Sequence, residues 1–388
     1  MVAGQLLAQN PVMVKDINDI TSLSNINQMT NVNGTMFFAG DDGVHGVELW
    51  KSDGTAAGTT MFKDIRAGDN RSSSTPNSLL NINGTLYFNA NDGIVGSELW
   101  ESDGTVAGTV LLKDIAVGYY GSNPSALTNV NGVLFFTVVN YGSHELWKSD
   151  GTEAGTVLIK KHVSIVASRP TSINDVFYYA AFNGNTNGSE LWKSDGTEAG
   201  TVMVKDILVG SNSSTPFNLT NVNGTLYFNA NDGINGRELW KSDGTAAGTV
   251  LVKDIKVGID GSYPESLTNV NGTLYFSATN VANGKELWKS DGTAAGTVMV
   301  KDISDGNFGS NPAYLTNVNG TLYFGANNGG YPMPFGLWKS DGTEVGTVLV
   351  KNVGIDNPDY INDPIKSLTN FNGTLYFSGN DGETGSEL

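Results

Sequence analysis

Evenly spaced carboxylates are the residues of this 388-residue chain best suited to chemistry. Asp42, Asp92, Asp232 and Asp381 each stand before a glycine, and six residues on come Glu48, Glu98, Glu238 and Glu387. Calcium takes roughly six to eight oxygen ligands, so these four aspartates are candidate metal ligands and calcium is the candidate ion. The bland reading of the same residues is a solvated turn. A second acidic string, Ser-Asp-Gly-Thr, follows each tryptophan by one residue, as at Ser242 to Thr245. It lacks the spaced Asp and Asn ligands of an EF-hand loop, and Asp-Gly reads as a turn with Asp capping backbone N–H groups.

Catalytic groups are otherwise scarce. His45, His144 and His162 lie far apart without metal-ligand spacing, and no nucleophile motif or phosphate loop is present. The absence of cysteine excludes disulfides, thiol catalysis and thiolate metal sites. Carboxylates that recur at equivalent positions argue for structure, because an active site breaks symmetry. The expectation is a protein that is not an enzyme and needs no cofactor beyond the candidate calcium. A net charge of -17 disfavours nucleic acid and anionic membrane as partners. No apolar run approaches a membrane span, so membrane insertion is not expected either. Met1 to Asn10 lacks the basic start and apolar centre of a signal peptide.

Aromatic residues that do not recur supply the candidate ligand surface. Tyr119, Tyr120, Tyr141, Tyr263, Phe308, Tyr331, Phe335 and Tyr360 fall in loops that strand direction gathers on one face. Aromatics beside polar loops suit a glycan or a protein ligand. The seven tryptophans instead share one register, which reads as packing between structural units; sugar-stacking platforms are the sharper alternative.

These residues are positioned by a repeat of about 48 residues, a spacing typical of repeat architectures. The copy from Leu219 to Ile255 shows its parts. Leu219 to Val222 alternates and leads to Asn223-Gly224, the strongest short hairpin signal. Thr225 to Ala230 is rich in β-formers, Arg237 to Ser242 carries Trp240, and Val250 to Ile255 is a fourth strand. Four short antiparallel strands, apolar on both faces, describe a β-propeller blade. The expected fold is all-β, a single propeller of eight four-stranded blades over residues 1–388. Blades 1 to 7 span about 21–66, 76–116, 124–163, 170–208, 216–256, 264–304 and 312–354. Blade 8 joins 364–388 to an N-terminal strand at 12–17, where Val12 to Ile17 repeats the fourth-strand pattern and closes the ring. Seven blades with loose ends, or a piece of a longer array, are the alternatives. The Lys-Asp pair of the fourth strand reads as a charged outer edge that resists pairing.

The string Glu-Leu-Trp-Lys-Ser-Asp-Gly-Thr-Ala-Ala-Gly-Thr, at Glu238 to Thr249 and Glu286 to Thr297, resembles the bacterial repeat family named for Glu-Leu-Trp-x-x-Asp-Gly-Thr. The resemblance covers nearly the whole chain. It implies a secreted or surface protein and no established activity. His162, Asp175 and Gly336 depart from the pattern and break strict symmetry. Together these features lead to an extracellular or cell-surface binding or adhesion propeller of carbohydrate-binding type. The alternatives are a polysaccharide-acting hydrolase or lyase, and a purely structural module of a larger surface protein.

Overall fold

The computed structural model describes residues 13–17, 26–68, 72–184, 186–329, 335–352, 365–380 and 386–387. It is an all-β propeller of four-stranded antiparallel blades. In the blade read above, strands a to d are Phe217–Val222, Thr225–Asn231, Arg237–Ser242 and Val250–Lys253, hydrogen-bonded in that order. Asn223 and Gly224 both have positive φ, 51° and 85°, as the two-residue hairpin turn requires. Strand a is bulged between Phe217 and Thr220, with Asn218 at φ 57°.

The a strands stand around the axis, each against the next, and Asn27–Val32 of the first blade lies against Ile365–Phe371 of the last sheet. Seven sheets are complete four-stranded blades, not the eight expected. The last sheet has three strands, Ile365–Phe371, Thr374–Asn380 and Ser386–Glu387. Its expected fourth strand does not form: residues 13–17 carry no strand, and Val12 lies outside the described residues. They nonetheless sit beside that sheet, with Val14 and Ile17 in one apolar cluster with Phe371 and Tyr376. The physical reason lies in the neighbouring strand: Ser386–Glu387 is too short to template a fourth one, and the segment is seated by the buried Ile17 and half-buried Val14 while Met13 is exposed.

The core lies between blades. Leu226, Phe228 and Trp240 cluster with Tyr178, Leu191 and Val204 of the preceding blade, while Tyr227 and Leu239 cluster with Phe276 and Trp288 of the following one. Alternation along strand b sends successive side chains to opposite faces, so each blade supplies two half-cores. Trp50, Trp100, Trp192, Trp240, Trp288 and Trp338 are buried in these interfaces, which removes them as sugar platforms.

Lysines then tie neighbours together. Lys205 Nζ donates to the Thr249 carbonyl at 2.7 Å and Lys253 Nζ to the Thr297 carbonyl at 2.7 Å, each in the next blade. The strand-d lysine, expected as part of a charged outer edge that resists pairing, is therefore a link between blades. Lys15 Nζ donates in the same way to the Thr59 carbonyl at 2.8 Å.

Candidate functional site

The repeated carboxylates are consumed by the architecture. Glu238 is fully buried at the start of strand c and accepts from the Ser262 backbone N–H at 2.7 Å and from that of Ile255 at 3.1 Å. Glu98 accepts from Ser122 N at 2.8 Å and Ser122 Oγ at 2.6 Å. Each thus fastens the loop between strand d and the next strand a. Burial pushes both carboxyl pKa values up, against the hydrogen bonds from serine, which pull them down.

The aspartates before them close their own loops. Asp42 Oδ1 accepts from Val44 N and His45 N, both at 2.9 Å, and its Oδ2 lies 2.8 Å from His45 Nδ1. Asp232 accepts from Ile234 N at 2.9 Å, Asn235 N at 2.8 Å and Asn235 Nδ2 at 2.7 Å. Asp92 accepts from Ile94 N at 2.8 Å and Val95 N at 3.0 Å. Asp381 lies outside the described residues, among which no three His, Asp or Glu side chains come together to hold a metal. The Asp-Gly-Thr string is a self-closed turn: Asp243 Oδ1 accepts from Thr245 N at 2.8 Å and Thr245 Oγ1 at 2.7 Å. A Cβ on Gly248 would run into that carboxylate, so a larger residue there has to push Asp243 out of the turn.

The non-recurring aromatics separate into sectors. Tyr119 and Tyr120 meet edge to face at 6.2 Å, and Tyr141 donates to the nearby Val117 carbonyl at 3.1 Å; all three side chains are exposed. Phe308 is exposed on the loop between blades 6 and 7. Phe335 is buried in strand c of blade 7 and packs with Leu337, Ile365 and Leu368, which corrects its expected place on the ligand surface. It is apolar where blades 2 to 6 carry Ser97, His144, Ser189, Arg237 and Lys285, and the incomplete last sheet offers it a hydrophobic seat. Tyr331 and Tyr360 lie outside the described residues.

Tyr263 stands in a different company. With Thr215, Phe217, Asn229, Arg237 and Glu265 it lines a cleft of about 190 Å³ between blades 5 and 6. The cleft lies on the loop face, where strands a begin and strand c of blade 5 starts. Arg237 Nη1 donates to the Thr215 carbonyl at 2.7 Å and to Asn229 Oδ1 at 2.7 Å. Asn229 in turn donates to the Pro264 carbonyl at 2.6 Å. Glu265 is paired with Lys285 of its own blade, blade 6. Among the described residues no carboxylate forms an ion pair with Arg237, and burial pulls its pKa down. Phe217 and Tyr263 keep 41% and 52% of their surface exposed, so the walls of the cleft are open aromatic faces. Sequence reading found Tyr263 but missed Arg237 and Phe217. The signal was available: Arg237 occupies a position held by Val47, Ser97, Ser189 and Lys285 in other blades.

No family model and no curated protein matches the chain. Solved structures do. A prolyl endopeptidase aligns with TM-score 0.56 and 11% identity, over 90% of this chain and 53% of that one. A puromycin-hydrolyzing peptidase of Mycobacterium tuberculosis aligns with TM-score 0.54 and 11% identity, over 95% and 59%. Prolyl oligopeptidase B of Galerina marginata aligns with TM-score 0.56 and 11% identity, over 90% and 54%. The chain spans between half and two thirds of the length of these proteins, and at such identities the likeness is one of fold. These neighbours correct the functional expectation. The structures it aligns with here are prolyl endopeptidases and puromycin hydrolases, which points away from adhesion and carbohydrate binding. Adhesion and carbohydrate binding, with the glycan-hydrolase and surface-module alternatives, are therefore set aside.

Proposed function

We propose that this propeller is a peptide-handling ring that does no hydrolysis itself and works beside a hydrolase. The observation that carries the reading is the alignment of at least 90% of the chain with little more than half of each of several peptidases. The histidines support the non-catalytic part. His45 is tied to Asp42, and His162 is buried with its Nε2 2.9 Å from Tyr179 Oη. Fluorescence polarisation against a mixed peptide library, followed by mass spectrometry, tests both halves. Peptides retained and recovered intact are expected. Cleaved peptides overturn the non-catalytic reading, and no retention overturns the peptide reading.

The ring is read as having eight positions, the last completed by the N-terminal segment. Val14 and Ile17 pack where a fourth strand would contribute, and Lys15 makes the same link as Lys205 and Lys253. Ile17→Asp should lower the melting temperature by several degrees, since a buried unpaired charge is costly. An unchanged melting temperature overturns the closure. Resemblance to repeats of secreted and surface proteins supports a location outside the cell, which fractionation checks: a signal confined to the cytoplasm overturns it.

A further inference from the structure

The cleft between blades 5 and 6 contains a half-buried cation that the fold has left without a counter-charge. Arg237 Nη1 is committed to two neutral acceptors, the Thr215 carbonyl and Asn229 Oδ1, which fix the plane of the guanidinium. Among the described residues Nε and Nη2 make no hydrogen bond. Guanidinium offers paired parallel donors that match a carboxylate in two-point geometry. Glu265, the acid that lines the same cleft, is already paired with Lys285. The remaining walls are the exposed rings of Phe217 and Tyr263. A volume of about 190 Å³ has room for several waters, or for one side chain with its carboxylate.

We propose that this cleft binds the free C-terminal carboxylate of a peptide, with Arg237 holding the carboxylate and Phe217 and Tyr263 flanking an apolar terminal side chain. This deepens the peptide-handling reading and rests on it for the identity of the carboxylate's carrier. A free carboxylate on an otherwise apolar group satisfies both halves of the cleft at once. An amide at the same place would leave the cation unpaired. A nucleotide phosphate would bring more negative charge than a carboxylate to a cleft with Glu265 at its rim and one arginine to answer it.

The experiment is calorimetric titration of the intact chain with N-acetyl-phenylalanine and, separately, with its C-terminal amide. The free acid is expected to bind and the amide to bind at least about tenfold more weakly, the ordinary value of a hydrogen bond to a charged group. Arg237→Ser installs the residue that blade 2 carries at the same position as Ser97, and should abolish the preference for acid over amide with the melting curve retained. Tyr263→Asn, the blade 2 counterpart Asn123, should weaken both ligands alike and keep the preference. Equal binding of acid and amide, no binding of either, or a preference that survives Arg237→Ser each overturns the site. The two readings fail separately. Library peptides that bind equally well to Arg237→Ser leave the peptide reading standing without this cleft. N-acetyl-phenylalanine bound by a protein that retains no peptide leaves the cleft standing without that reading.

Discussion

Blades 2 and 5 build two different rims on one framework. Residues 85–94 and 225–234 are the same ten in the same order. Phe88 and Phe228 are both fully buried, and Glu98 and Glu238 both fasten the following loop through a serine. Strand c then opens with Ser97 in one blade and Arg237 in the other. In blade 2, Asn89 Oδ1 is buried without a partner, and the Thr75 carbonyl is taken by Asn77 at 3.1 Å. In blade 5 the matching amide oxygen and carbonyl both go to Arg237. Strand a opens with Phe217 in blade 5 and with Asn77 in blade 2. The repeat therefore fixes the frame, and a few positions at the loop-side ends of strands a and c decide what the rim can hold.

The largest expected effect tests the shared part. Phe88→Ala and Phe228→Ala should each destabilise by about 3–5 kcal/mol, since both remove a fully buried ring between blades. Equilibrium denaturation checks this, and a difference of more than about 2 kcal/mol between the two would break the equivalence of the frames.

The next effect comes from a blade that departs from both. Strand d of blade 3 ends in His162 where blades 2 and 5 carry Ile115 and Ile255. Burial pushes the His162 imidazole down to about 4 from an ordinary value of 6.5. Its neutral form is favoured in the fold, so the contribution is fully present above pH 6.5 and is lost as pH falls towards 4. The full loss is about 3 kcal/mol. His162→Ile should remove it, and the difference between the two stability–pH curves is the measurement. Parallel curves across that window would refute the assignment.

A smaller contrast separates the two asparagines. Asn229→Ala leaves the Pro264 carbonyl and Arg237 each short of a partner, and should cost about 1–3 kcal/mol. Asn89→Ala removes an amide oxygen that has no partner and one long hydrogen bond, Nδ2 to Asn77 Oδ1 at 3.5 Å, and should cost less than about 1 kcal/mol. Equal costs measured by denaturation would show that Arg237 does not lean on Asn229. The smallest expected effect on stability is that of Ser97→Arg, within about 0.5 kcal/mol for a position at the rim. Combined with Asn77→Phe and Asn123→Tyr, it should give blade 2 the same acid-over-amide preference, read by the titration described above.

Much of the frame was legible in the sequence because its causes are local. Asn223-Gly224 requires two positive φ values, and alternation sends Leu226 and Phe228 to one face and Tyr227 to the other. What failed was non-local. The lysine of strand d reads as a charged edge, yet its acceptor lies about one repeat further along the chain. Phe335 reads as a loop aromatic, and only the neighbouring sheet turns it into core. Residues 13–17 carry the apolar pattern of a strand, but the strand beside them, Ser386–Glu387, is too short to template one, and of their apolar side chains Ile17 alone is fully buried. Arg237 is hidden because it lies inside the repeat, whose recurring residues read as frame. Its meaning comes from Thr215, 22 residues before it, and Asn229, eight residues before it.

The hydrophobic clusters that straddle neighbouring blades carry an evolutionary consequence. A single copy cut from the ring would expose Tyr227 and Leu239 on one side and Phe228 and Trp240 on the other. Growth or shrinkage of the gene is thus quantised: a whole duplicate can slip between two existing copies and find matching faces waiting on both sides. Part of a copy would find none.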